Sequence, residues 1–263
     1  MVNHAHNIWS CSVPNTYDAN ESAPILFLLL LVVSFSSLAQ QNLFNAPSGD
    51  LTPRSELFYQ HQINLYSPSL WDSKIHLVYG LGKKWDAGIN FVDLPIDWSQ
   101  GLQFSKNDLF KPYYPVLMAT AQKQWELSKR WDMNIGTQAG INVGAEPGST
   151  QFLFWNYSSI RYHLKQSFVI GGLYQTNSNY VGEANGPVGY WFGYQINLND
   201  WWLLMGDFTS GDHKKSGSTL GIVYNLSNRV QLSGAGLFGF PNSKNHNGFV
   251  FELNVFTYNY HNN

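Results

Sequence analysis

The stretch Trp131 to Val143 limits what this chain can fold into more than any other. It reads Trp-Asp-Met-Asn-Ile-Gly-Thr-Gln-Ala-Gly-Ile-Asn-Val. Side chains on a β-strand point alternately to the two faces of the sheet. One face collects Trp131, Met133, Ile135, Thr137, Ala139, Ile141 and Val143, and the other collects Asp132, Asn134, Gly136, Gln138, Gly140 and Asn142. The alternation holds for about 13 residues, long for a soluble strand and enough to cross a bilayer at a tilt. Its period fits a transmembrane strand with lipid on one side and a wet lumen on the other. Soluble antiparallel strands alternate too, so the rest of the chain has to decide.

Charged residues make up 12% of the chain, about half the usual share for a soluble domain, while aromatics reach 16% and mean hydropathy stays at -0.23. A cytosolic protein this poor in charge would gain apolar residues. This one is rich in Gly, Asn, Gln, Ser and aromatics instead, a mixture suited to a wall with one apolar face, one uncharged polar face and aromatic rims. The formal charge of -2 gives no basic footprint for nucleic acid.

Ile25 to Val33 is an unbroken apolar run, followed by Ser34-Phe35-Ser36-Ser37-Leu38-Ala39 and Gln40-Gln41. A short apolar core ending in a small-x-small site reads as a secretory signal, too short for a spanning helix. Cleavage is expected after Ala39; the alternative is an N-terminal membrane anchor. Met1 to Pro24 lacks the Lys or Arg that starts an ordinary signal, which suggests translation beginning nearer the apolar run, and N-terminal sequencing of the precursor decides that. The leader holds Asp18 and Glu21, and without them 15 acids face 15 Lys and Arg. It also holds Cys11, so the mature chain is expected to carry neither a disulfide framework nor a thiolate metal site. No other stretch is a candidate transmembrane helix. The expected plan is a leader over 1–39, a polar, unstructured periplasmic lead-in over 40–55, a barrel over 56–258 and a tail over 259–263.

Alternation and turn residues place twelve strands. They run Glu56 to Leu65, Lys74 to Leu81, Trp85 to about Val92, Val116 to Leu127, Trp131 to Val143 and Gln151 to Leu164. The rest run Phe168 to Thr176, Val188 to Leu198, Trp201 to Ser210, Ser218 to Leu226, Val230 to Gly239 and Phe249 to Tyr258. Short turns follow every second strand and longer loops fill the other gaps, the longest from Asp93 to Tyr114, which could fold inward or stand outward. Outer-membrane barrels sort their connections this way; a soluble sandwich has no reason to. Lys-(Lys/Arg)-Trp-Asp recurs at two short turns, Lys83 to Asp86 and Lys129 to Asp132. Trp85, Trp125, Trp131, Trp201 and Trp202 all sit beside short turns and read as a periplasmic aromatic girdle. The expected fold is an all-β, antiparallel up-and-down transmembrane barrel of about 12 strands.

Twelve strands fall between a barrel filled by side chains and a wide porin, so a narrow pore or a partly plugged lumen is expected. By phase the lumen receives Gln60, Gln62, Asn64, His76, Asn90, Gln122, Asn134, Gln138, Asn142, Gln195 and Asn197. The charges in phase with them are Arg161, Asp207 and Glu252. Two readings stay open: these three set a weak field across a solute path, or they form an internal salt-bridge network that braces or closes the barrel. Lys123 falls out of phase and either snorkels or marks a bulge. The histidines show no metal-ligand spacing, and no cofactor is expected.

Some twelve-stranded barrels are phospholipases with a His-x-Ser-Asn segment. Ser178-Asn179 follows a strand here, but Thr176 stands where that family has histidine, and a serine without a base is a weak nucleophile. The signal ending Leu-Ala-Gln-Gln, the hairpin Tyr79 to Asn90 and the aromatic closing strand resemble uncharacterised outer-membrane barrels of Bacteroidetes-type Gram-negative bacteria. More distantly the chain is similar to transporter-type barrels of the phenol-degradation meta-pathway. The resemblance implies an outer-membrane location with both termini periplasmic and a passive, porin-like role for small solutes without enzymatic activity. The expected partners are outer-membrane lipid, the solutes, and the barrel-assembly machinery through the C-terminal strand. The alternative is a structural, adhesive or assembly-associated barrel.

Overall fold

The computed structural model describes residues 42–105, 111–144, 149–182 and 186–259; the expected export segment, the cleavage site expected after Ala39 and Cys11 lie outside the described residues. The strands are β1 (Leu57–Leu65), β2 (Leu70–Gly82), β3 (Trp85–Asp97), β4 (Gly101–Leu102), β5 (Val116–Ser128), β6 (Trp131–Asn142) and β7 (Phe152–Leu164). After β8 (Ser167–Thr176) comes the one-turn helix α1 (Ser178–Val181), then β9 (Val188–Asn197), β10 (Trp202–Thr209), β11 (Gly217–Ser227), β12 (Val230–Phe238) and β13 (Gly248–Phe256). Successive strands pair antiparallel, and β1 also pairs with β13, Phe58 opposite Phe256 and Leu65 opposite Phe249. That pairing closes the ring. β4 pairs with the end of β3 and stands outside it, leaving the 12-stranded antiparallel barrel that the alternation predicts.

Each strand turns its apolar row outward. On β3, Ile89 is 58% exposed while its neighbour Asn90 is 1% exposed. Leu173, Ile222 and Phe251 repeat the pattern around the ring. In water so much exposed apolar surface would be unfavourable; against lipid it is the required face. The short turns lie at one end, together with the start of β1 and the end of β13. Lys83 and Lys84 both take positive φ (54° and 62°), the turn geometry that matches the twist of the flanking strands. The five tryptophans named above are all exposed at this end. Lys123 snorkels there: its Nζ sits 5.2 Å and 5.8 Å from the Trp85 and Trp125 rings and donates to the Lys83 carbonyl at 2.6 Å.

Three expectations need correction. β3 does not stop at Val92 but runs to Asp97, through a bulge where Ser73 faces Leu94 and Ile75 faces Phe91. Val92 and Asp93 both turn inward there, Asp93 with φ 55°, and two inward residues in a row break the period that sequence reading relies on. The long connection does both things it was expected to choose between. Its start rises as the β3–β4 hairpin, and its return lies over the lumen mouth, where the Tyr113 N–H donates to the Asn179 carbonyl (2.9 Å). Finally, the lead-in is neither unstructured nor outside. Residues 42–54 run inside the barrel, with Leu43, Phe44, Ala46, Ser48 and Asp50 buried.

Candidate functional site

The inner wall is a ring of amides and charges because every second residue of a strand faces inward, and that ring grips the N-terminal segment. An extended or turning backbone carries N–H and C=O groups that need partners once removed from water. Here the wall supplies them from all sides. The Asn45 and Ala46 N–H groups donate to one oxygen of Asp207 on β10 (2.5 and 3.2 Å), and Asn45 Nδ2 donates to Thr219 Oγ1 on β11 (2.8 Å). On β5, Gln124 and Gln122 donate to the carbonyls of Gly49 and Asp50, each at 2.9 Å. The Thr52 N–H donates to Asp86 on β3 (3.2 Å), and Asn42 Nδ2 donates to Gln60 on β1 (2.9 Å). Apolar inward residues, among them Phe168, Ile170, Trp191, Leu203 and Met205, join Leu43, Phe44 and Ala46 in one buried cluster.

Toward the short-turn end this grip becomes ionic. Arg161 on β7 pairs with Asp50 of the segment and with Asp132 on β6 (Nη2 to Oδ2, 2.8 Å), and also donates to the Ser48 carbonyl at 3.3 Å. His163 adds a 2.6 Å contact to Asp132. The repeated Trp-Asp motif is now explained. The tryptophan of each pair faces outward to the rim, and the aspartate faces inward, Asp86 to the segment's backbone and Asp132 to Arg161.

At the loop end a second network spans the mouth. Lys215, in the loop between β10 and β11, pairs with Asp93 on β3. Five strands separate β3 from β10 in either direction around the ring, so this pair crosses the opening on a diameter. Lys215 Nζ also lies 4.9 Å from the Tyr180 ring of α1. Burial lowers the tendency of Lys215 to stay charged, but Asp93 and the other neighbouring acids outweigh it, and the net shift is upward. His213 is the loop's anchor. Its Nδ1 accepts the Lys215 N–H (3.1 Å) and its Nε2 lies 2.7 Å from Tyr174 Oη, which itself donates to the Ser210 carbonyl (2.6 Å). That pattern fixes a neutral ring protonated on Nε2, and burial pushes its pKa down to about 4.

The segment separates two spaces. A cavity of about 310 Å³ lies on the loop side, with Phe44, Asn45 and Pro47 in its lining. A vestibule of about 870 Å³ opens on the short-turn side, lined by Asp50 to Arg54 and by Asp132 and Arg161. Of the residues expected to line the lumen, Gln62, Asn64, His76, Gln138 and Asp207 face the loop-side cavity. Asn142 instead accepts the Gln151 N–H at 2.7 Å, and Gln195 donates to Asn197 at 3.2 Å. Glu252 is buried, and Gln62, with its amide oxygen and nitrogen exchanged, donates to it at 3.2 Å and to the Phe44 carbonyl at 2.9 Å. Arg161, Asp207 and Glu252 do not meet as one charge ring. Arg161 and Asp207 hold different parts of the segment, at Ser48–Asp50 and at Asn45–Ala46.

Ser178 opens α1 and accepts from Lys111 Nζ at 3.1 Å. A separate serine–histidine contact joins Ser73 Oγ and His61 Nε2 (2.8 Å) on the outward face. Among the described residues no carboxylate forms an ion pair with that imidazole, and no group of three or more potential metal ligands occurs.

A closed twelve-stranded hoop with an apolar exterior, a tryptophan rim and a polar interior crossed by its own chain defines a transmembrane β-barrel protein. No protein-family model matches the chain, and no curated protein matches it. Among solved structures it is similar to the NanC porin (9% identity, 76% of this chain and 98% of that one, TM-score 0.49). It is also similar to outer membrane phospholipase A from Escherichia coli (12%, 78% and 93%, 0.46) and to the Ralstonia pickettii toluene transporter TbuX (8%, 77% and 89%, 0.42). Likeness at this level is to the general form of a barrel and transfers no residue or activity.

Proposed function

We propose that the protein is an outer-membrane barrel of a Gram-negative bacterium that passes small solutes and is closed at rest by residues 42–54. The observation that carries this reading is the pair of spaces on either side of one thickness of chain. A barrel that served only as a scaffold could fill its core with side chains; this one keeps a cavity and a vestibule and divides them with a segment held largely through backbone hydrogen bonds. In this reading the short turns and both barrel termini face the periplasm, and lipid covers the outward rows. β13 is the strand offered to the assembly machinery.

No catalytic step belongs to the proposal. Ser178 accepts a hydrogen bond from Lys111 instead of giving its proton to a base, and the Ser73–His61 pair faces lipid with no acid among the described residues to orient the imidazole.

Planar-bilayer recording of the refolded protein tests the reading. Deleting residues 42–50 should raise conductance severalfold while the barrel keeps its heat-modifiable migration on gels. A deletion variant that folds and stays as closed as the parent would overturn it, and would favour a structural or adhesive barrel.

A further inference from the structure

We propose that the loop-side cavity is a binding site for a small organic anion with a flat or ring-shaped body. The inference rests on the transport reading for its purpose and on the cavity alone for its chemistry.

A volume of about 310 Å³ is at the lower end of small-molecule sites. The space is closed beneath by Phe44, Asn45 and Pro47 and crossed above by the Lys215–Asp93 pair. It is therefore a recess with a floor and a bar rather than an open pore mouth. Its walls carry Tyr66, Trp71, Tyr114, Trp155 and Tyr180, faces on which a ring can stack.

Its charges do not cancel. The lining holds Lys74, Lys214, Lys215 and Lys244 against Asp72, Asp93 and Asp207. Asp93 is held by Lys215 and Asp207 by the Asn45 and Ala46 N–H groups, while Asp72 accepts from Tyr66 Oη at 3.1 Å on one oxygen and keeps the other, Oδ1, buried in the field of Lys74 without a hydrogen-bond donor. Among the cations, Lys215 is held by Asp93 and Lys74 donates to Asn45 Oδ1 at 3.1 Å. Lys214 is exposed at the rim and forms no ion pair with any described residue. An incoming carboxylate would meet Lys214, which has no ion-pair partner among the described residues, whereas an incoming ammonium would meet Asp93 and Asp207 already held and, at Asp72, a single free oxygen that Lys74 already faces.

Two kinds of molecule share this chemistry, aryl carboxylates and sugar acids, and the test separates them. The full mature chain, refolded in detergent, is titrated with benzoate, glucuronate, benzyl alcohol and benzylamine while tryptophan emission is followed, since Trp71 and Trp155 line the recess. At least one of the two anions should give a saturable change about tenfold tighter than benzylamine, the equivalent of about 1.4 kcal/mol, and weaker at high salt. Lys214→Glu should abolish that preference and Lys214→Arg should keep it. Equal binding of anion and cation, no saturable change with any probe, or an unaltered Lys214→Glu protein would overturn the proposal. Binding without flux through the segment-deleted barrel would sink the transport reading and leave the site standing. Flux without anion binding would do the reverse.

Discussion

Replacing Arg161 with Met removes the one cation that Asp50 and Asp132 share, and leaves two buried acids beside each other. Breaking a buried pair from one side costs about 3–5 kcal/mol, and here the cost falls on the contact that holds residues 48–50 to the wall. Arg161→Met should therefore lower the thermal midpoint in detergent and raise the frequency of open events in bilayer recordings. His213 gives a residue-scale prediction with a pH sign. In place its pKa is about 4, whereas a freed histidine titrates near 6.5. Between those values the detached loop binds more protons than the docked one, so docking is complete above about pH 6.5, weakens as pH falls toward 4, and changes little below that. The loss is on the order of 3 kcal/mol. Hydrogen-exchange protection of residues 211–216, corrected for the intrinsic pH dependence, should follow that course, and His213→Gln should flatten it.

At the scale of elements, lipid makes strands readable. Every second residue of β6 or β9 must be apolar, so the period survives along the whole element, and Trp-Asp marks where a strand meets the rim. Asp86 and Asp132 share the inward phase, and the repeat was their signal, yet their partners were not visible from it. Asn45 reaches Thr219 and Asp207, more than 160 positions along the chain, and no local pattern encodes such contacts. Residues 40–55 carry turn formers and no period, the same signature an unstructured lead-in would have. The bulge at Val92–Asp93 hid for the opposite reason, since it interrupts a pattern that was otherwise clear. Gly80 shows how tightly element and segment meet. A Cβ there would lie 1.9 Å from the Pro53 carbonyl oxygen and 2.4 Å from that of Thr52, while its carbonyl accepts the Ser55 N–H at 2.8 Å. Gly80→Ala should push residues 52–54 off β2 and raise conductance, with strand content unchanged by circular dichroism.

For the whole molecule, wall and segment are stabilised by different things. The wall depends on ladder hydrogen bonds and a lipid-facing exterior, the segment on inward polar groups and one apolar cluster. Loosening the segment therefore need not unfold the wall, and that independence is what the conductance experiments exploit. The Lys215–Asp93 pair adds a consequence of shape. A rod laid along the diameter of a round window leaves two crescents, and crescents sort visitors by thickness rather than by girth. In the barrel opened by deleting residues 42–50, planar molecules should pass edge-on where compact, spherical ones of equal mass are turned away, and adding Asp93→Ala should erase that difference in solute-swelling rates by taking the rod out of the frame.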